Sequence, residues 1–236
     1  MNRSVSGTSS AAPTTRRERY REQTINEIKT LALAQVVEGG EAAVSLNAVA
    51  KQMAMSPGAL YRYFDNRESL VSALVVEAFN ALADHLEGVA ATRSTAANRL
   101  RGLGRAYRAW ALANPNLYRL IFETVSIAGP ALASDGIVAA SQRSMNLFLQ
   151  VLADAAVRAN LDLSVEFTEQ AEAWGLRADR SELSASTLTM ALLLWTRLHG
   201  LVSLEMGQHL QATGVTPGLL FDLELDLLVQ MTGSSE

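Results

Sequence analysis

Between residues 45 and 67 the chain crowds together groups that bind by hydrogen bonding and charge: Ser45, Asn47, Ser56, Tyr61, Arg62, Tyr63, Asn66 and Arg67. Their spacing follows two short helices. Leu46, Val49, Ala50 and Met53 fall at i, i+3, i+4 and i+7, one apolar helical face. Ser56-Pro57 opens the next helix, with Ser as N-cap and Pro at the first helical position. Leu60 anchors that helix, and its other faces carry hydroxyls and a guanidinium. A helix this short buries little, so so many outward polar groups call for a partner. A helix-turn-helix entering a DNA major groove supplies one.

The chemistry at each position follows from residue type. Ser45 and Ser56 stand at helix starts, where hydroxyls and free N–H groups either cap the helix or hold phosphate. Asn47 faces outward, within reach of a base edge or a phosphate. Gly58 and Ala59 are small enough for close backbone approach, and Pro57 and Ala59 suit a thymine methyl. Tyr61 and Tyr63 offer hydroxyls to phosphates, with Tyr63 half-buried against the first helix as the alternative. Arg62 is the best candidate for guanine O6 and N7, with phosphate as the rival partner. Asn66 and Arg67 open the fourth helix, where N–H groups and a cation meet phosphate together. Phe64 reads as core.

The signature S-L-x-x-V-A-x-x-M, S-P-G-A-L-Y-R-Y-F, N-R-E-S-L resembles the DNA-binding domain of the TetR family of bacterial repressors, over roughly residues 20 to 75. The resemblance implies a homodimeric regulator that binds a double-stranded, pseudo-palindromic DNA operator. One position departs from the family pattern. The turn between the two helices usually carries Gly, and here it is Ala54-Met55. A left-handed Ala54 costs about 1 kcal/mol.

The elements that must position these groups are all helical. No period-two strand pattern persists, and no internal repeat is visible. The fold class is all-α: an N-terminal three-helix helix-turn-helix head on a larger C-terminal bundle, about nine helices in all. Residues 1–15 read as a disordered tail, 16–67 as the DNA-binding domain and 68–236 as the ligand-binding and dimerisation domain. In or beside the tail, Arg3, Arg16 and Arg17 are candidates for a basic arm or for plain solvation. Helix one spans about 16–38, with Ile25, Ile28, Ala32 and Val36 inward and Gly39-Gly40 as its stop. Asp65 and Glu68 read as a capping box for a long fourth helix ending near 87. Asn114-Pro115 starts a helix and Gly129-Pro130 stops one. Residues 134–159 read as a long helix, 160–181 as a helical turn and a loop, and 184–211 and 217–231 as the last two helices.

Two stretches of the body stand out: residues 107–122 and 195–206. The W-x-x-x-H-G core of the second, Trp195 to Gly200, resembles the C-terminal domain of a subset of TetR-type regulators, which implies an unidentified small-molecule effector. Trp195, His199, Val202 and Met206 share a helical face. They form either a core stripe with a hydrogen-bonded His or a pocket wall that Tyr107, Trp110, Phe122, Met145 and Phe148 complete. Few charges lie on these faces, so the expected effector is uncharged, lipophilic or aromatic. Leu193, Gly200 and Leu204, with Leu220, Leu223, Leu227 and Met231 of the last helix, suit a four-helix interface between two subunits.

Composition bounds the rest. The net charge is −4. Residues 1–67 hold nine Lys and Arg against six Asp and Glu, net +3, and the remainder is net −7. A basic end on an acidic body suits docking on phosphates. There is no Cys, hence no disulfide or thiolate site. His85, His199 and His209 lack metal-ligand spacing, and no phosphate loop or nucleophile elbow is present. Neither enzyme activity, metal nor cofactor is expected. No 18-residue apolar run is evident, so no membrane partner is expected and the default compartment is the cytoplasm. Repressor, activator, or a DNA-binding protein acting through a protein partner all remain compatible with the sequence.

Overall fold

The computed structural model describes residues 15–91, 94–124, 135–155 and 161–233, and among these every regular element is helical. The expected tail up to residue 14, the stop at Gly129-Pro130 and the far end of the 134–159 helix lie outside the described residues.

Helix α1 (Arg16–Gly39) starts at Thr15, whose side chain and Glu18 satisfy each other's backbone N–H groups in a capping box. Ile28, Ala32 and Val36 are its fully buried face. A 3-10 turn (Glu41–Ala43) leads to α2 (Leu46–Gln52) and α3 (Pro57–Leu60), capped by Ser45 and Ser56 as their sequences predict. Leu46, Val49, Ala50 and Leu60 face inward, with α2 packed on both α1 and α3.

The α2–α3 turn is a Schellman motif. The Met55 N–H donates to the Ala50 carbonyl at 2.9 Å and the Ala54 N–H to that of Lys51 at 3.2 Å. This closure forces Ala54 to φ 53°. The strain foreseen for a non-glycine residue is therefore present.

Helix α4 (Arg67–Ala90) begins one residue later than a D-x-x-E box requires. Its N-cap is Asn66, whose Oδ1 accepts from the Ser69 N–H at 2.7 Å, while Ser69 Oγ accepts from the Asn66 N–H. Asn66 is the residue that adopts extended backbone at this start, so N-x-x-S displaces the expected Asp65–Glu68 pair. The helix then runs without a break from head to body.

The body comprises α5 (Ala96–Ala113), α6 (Pro115–Arg119), a π-helical turn (Leu120–Thr124), α7 (Asp135–Asp154), α8 (Val165–Arg177), α9 (Ala185–Met206), a 3-10 turn (Gln211–Thr213) and α10 (Pro217–Met231). Ten α-helices are described, against about nine expected. The addition is α8, in the stretch read as a turn and a loop. Its fully buried face is only Ala171 and Gly175, too narrow to show as periodicity. Gly175 brings it close to α9: an added Cβ would sit 2.8 Å from Leu188.

Helices α4 and α9 are long and apolar enough to cross a membrane by length and composition, contrary to the sequence expectation. Their apolar residues instead build the protein core: Leu70, Leu74, Ala78, Leu82 and Leu86 of α4, and Leu188, Leu194, Leu198 and Val202 of α9. The head is tied to the body by Lys29 of α1 paired with Glu77 of α4, and by Asn116 of α6, which donates to the Val37 carbonyl at 2.9 Å.

Candidate nucleic-acid interface and ligand cavity

On the head, burial separates the candidate groups into an outer and an inner set. Ser45, Asn47, Ser56, Pro57, Gly58, Tyr61, Arg62 and Asn66 are exposed, while Ala59, Tyr63 and Arg67 are half-buried. A Cβ added at Gly58 would meet nothing within 4 Å, so the α3 backbone is open to close approach. Lys51, one helical turn beyond Asn47 on α2, is also exposed. The i, i+4 relation of Asn47 and Lys51 was available in the sequence as a signal for this second cation.

The inner set has work within the fold. Arg67 pairs with the Glu41 carboxylate and donates to the carbonyls of Glu41 at 2.6 Å and Val44 at 3.2 Å. Its guanidinium thereby fastens the turn between α1 and α2, where the sequence reading had it meet phosphate. Tyr63 packs on the head core, with the Arg21 guanidinium 5.4 Å from its ring centroid. That is the alternative foreseen for it. Phe64 is buried, as expected.

In the body, a cavity of about 390 Å³ lies between α4, α5, the π-helical turn, α7, α8 and α9. Five of the eight residues proposed from sequence line it: Tyr107, Phe122, Met145, Phe148 and Trp195. Three do not. Trp110 and Val202 are packed into the core at 5% and 0% exposure. His199 sits behind Phe122, its ring centroid 4.5 Å away, and turns toward two phenols. Its Nδ1 is 3.1 Å from Tyr107 Oη and 2.9 Å from Tyr118 Oη, and Tyr118 Oη is also 2.9 Å from Ser203 Oγ. This face divides between the two readings: Val202 is core and His199 is hydrogen-bonded, while Trp195, 42% exposed, borders the cavity. Burial holds the His199 imidazole below its ordinary value. It also pushes the Tyr107 phenol well up, with Tyr118 adding to the effect, and raises Tyr118 as well.

The remaining walls escaped sequence reasoning. Phe79, Leu82 and Leu86 of α4, Ile121 of the π turn, Trp174 of α8, Leu192 of α9, and Ser141, Gln142, Ser144, Asn146 and Leu149 of α7 all face the cavity. Apolar periodicity marks such residues only as inward-facing; whether they meet a neighbour or a void depends on how the helices cross. Among the described residues, no Asp, Glu, Lys, Arg or His lines the cavity.

The outer face of α9 and α10 is apolar. Leu204, Leu219, Leu223 and Leu227 are exposed, Leu223 by 57%, while Leu193, Gly200, Leu220 and Met231 are half-buried. The flanks of α10 are fixed by ion pairs: Asp222 with Arg105 at 2.8 Å, Asp226 with Arg101 at 2.7 Å and Glu224 with Arg197 at 3.0 Å. Arg108 adds a bidentate pair from α5 to Glu205 of α9.

Comparison with known proteins agrees with this architecture. Residues 28–74 match the family model of bacterial regulatory proteins of the tetR family, and residues 100–228 match the tetracyclin repressor-like C-terminal domain. The chain is 28% identical to the HTH-type transcriptional regulator Rv1816 of Mycobacterium tuberculosis, over 91% of this chain and 94% of the relative. The crystal structure of the putative regulatory protein SCO4313 is 37% identical, with a TM-score of 0.70, covering 91% of this chain and 98% of that one. FadR of Bacillus subtilis, solved with stearoyl-CoA, shares the fold at a TM-score of 0.58 and 16% identity, over 86% and 97% of the two chains. With a helix-turn-helix head, a ligand-binding-type helical body and relatives that are regulators rather than enzymes, the chain belongs to the TetR family of transcriptional regulators.

Proposed function

We propose that the protein is a homodimeric repressor that binds a pseudo-palindromic operator and releases it when a small lipophilic effector fills the body cavity. The observation that carries this reading is the course of α4. Its first turn closes the DNA-reading head, Glu77 holds α1 through Lys29, and Phe79, Leu82 and Leu86 are walls of the cavity. An effector pressing on those walls acts on the same rigid rod that orients α2 and α3. Occupancy then favours one tilt of the head over another, and operator affinity changes by differential binding of two states.

Asn47, Lys51, Ser56, Pro57, Gly58, Tyr61 and Arg62 form the reading surface in this scheme, with Ser45 and Asn66 holding phosphates at helix starts. The two subunits meet through Gly200 and Leu204 of α9 and Leu220, Leu223 and Leu227 of α10, and Gly200 allows close approach of the facing helix. Two heads so joined bind half-sites about 34 Å apart, or a multiple of that. The effector is read from this chain's own cavity. FadR, solved with stearoyl-CoA, shares only a fold with this chain, and among the described residues the cavity lining carries no cation for an anionic head group.

Sequencing the genomic fragments retained by the purified protein tests the proposal. A single palindromic motif, lost from the retained pool when the effector is added, is the expected result. Fragments with no common motif would refute operator binding, and retention indifferent to every cavity ligand would refute effector release.

A further inference from the structure

The walls of the body cavity divide by chemistry. Six of the chain's fourteen aromatic residues line it, each from a different element: Phe79 of α4, Tyr107 of α5, Phe122 of the π-helical turn, Phe148 of α7, Trp174 of α8 and Trp195 of α9. The protein core is built otherwise. Among the described residues, the largest fully buried side chains are Leu and Ile, with Phe221 the one aromatic. Phe122 joins two of the other rings, its centroid 6.0 Å from that of Phe79 and 6.5 Å from that of Tyr107, both edge-to-face. Rings so disposed favour another ring over an aliphatic group of the same size.

Beyond the aromatic residues, every polar side chain of the described lining comes from α7: Ser141, Gln142, Ser144 and Asn146. The hydroxyls are already used or closed off. Tyr107 Oη is held by His199 Nδ1, Ser141 Oγ donates to the Val138 carbonyl at 2.9 Å, and Ser144 Oγ is sealed from the surface. Two carboxamides remain. Gln142 and Asn146 are half-buried and four residues apart, on one face of the helix. Asn146 Oδ1 accepts from Arg180 Nε at 3.3 Å; a guanidinium only donates, so this bond fixes the amide with its NH2 group on the other side. Among the described residues, neither that NH2 group nor the Gln142 amide has a hydrogen-bond partner. A hydrocarbon ligand would strip their water and return nothing, whereas a ligand oxygen replaces it. Arg180 itself lies outside the lining and is engaged by Asn146 and by Glu182 at 3.8 Å, so a neutral acceptor fits this edge better than an anion.

We propose that Gln142 and Asn146 are the specificity-determining residues of the cavity, and that its ligand is a neutral aromatic molecule with a hydrogen-bond-accepting oxygen, its ring among the aromatic side chains and its oxygen on the α7 amides. This rests on the cavity being the effector site. It adds to that reading the ring, the acceptor and the residues that select them.

Calorimetry in which the full chain is titrated into benzophenone, diphenylmethane, dicyclohexyl ketone or 4-benzoylbenzoate tests the assignment. Benzophenone binds about tenfold more tightly than diphenylmethane, the order expected of one hydrogen bond to a group otherwise unpaired. It also binds more tightly than dicyclohexyl ketone, which keeps the oxygen but lacks the rings, and more tightly than 4-benzoylbenzoate. Asn146→Leu combined with Gln142→Leu abolishes the preference for benzophenone over diphenylmethane. Infrared difference spectra add a readout that packing alone would not move: the carbonyl stretch of benzophenone bound to the native chain lies below its frequency in hexane, and returns to it in the double variant. An unshifted carbonyl in the native chain, which decides the matter even if the double variant fails to fold, would overturn the assignment while leaving an effector cavity intact. So would equal affinities for benzophenone and diphenylmethane, or tightest binding of the dicyclohexyl ketone or the acid. Failure of all four probes to bind would overturn it together with the effector reading beneath it.

Discussion

Ala54 is the residue at which the head stores strain. Its φ of 53° is imposed by the paired hydrogen bonds that end α2, and its Cβ is what makes that angle costly. Ala54→Gly is expected to stabilise the protein by up to about 1 kcal/mol, reduced by the entropy glycine adds to the unfolded chain. Urea unfolding checks it, and a loss of stability would mean that the turn is not held left-handed. His199 makes a second prediction. Because burial holds its folded-state pKa below the ordinary 6.5, the unfolded chain takes up a proton that the native protein refuses. No cost is present above the unfolded value; it grows as pH falls through that value and levels off at the folded one. Unfolding free energies at about pH 7.5 and 5.5 should therefore differ more for the native chain than for His199→Gln. Equal differences would place the imidazole in water.

At the scale of elements, α10 divides its residues by direction: Phe221, Leu225, Leu228 and Val229 into the core, the acids to either side, Leu219, Leu223 and Leu227 outward. Such a row of exposed leucines on a well-anchored helix is an interface feature. Leu223→Glu with Leu227→Glu is expected to convert a dimer to a folded monomer in sedimentation, with helix content retained in circular dichroism; a dimer that persists would move the interface elsewhere. The inward faces of α1, α2 and α3, the serine caps of α2 and α3 and the proline that opens α10 were legible in the sequence because each depends on neighbours within a turn or two. The start of α4 slipped by one residue because Asp65 and Asn66 are both good caps, and the choice lies in backbone angles. Helix α8 was missed because a helix held by Ala171 and Gly175 needs no apolar stripe. At the cavity, the aromatic walls of α5, α7 and α9 were legible by type. Those of α4 and Ser144 were not, since a long buried helix shows many inward residues and only the crossing of its neighbours decides which of them border a void.

For the whole molecule, the division of charge matters more than the total. A basic head on a body of net −7 directs only one end toward a polyanion. The continuous α4 gives cavity and head a shared rigid part, which is the physical basis for regulation in this account. The central claim, that α2 and α3 read a specific site, is tested most directly by fluorescence anisotropy of the full chain on its candidate operator, at several salt concentrations, beside Arg62→Ala. The account predicts saturable binding far above that to random DNA, a steep decline with salt, and a loss of about 1–3 kcal/mol in the Arg62 variant if the side chain meets a guanine. Binding equally weak on operator and random DNA, and indifferent to Arg62, would contradict it.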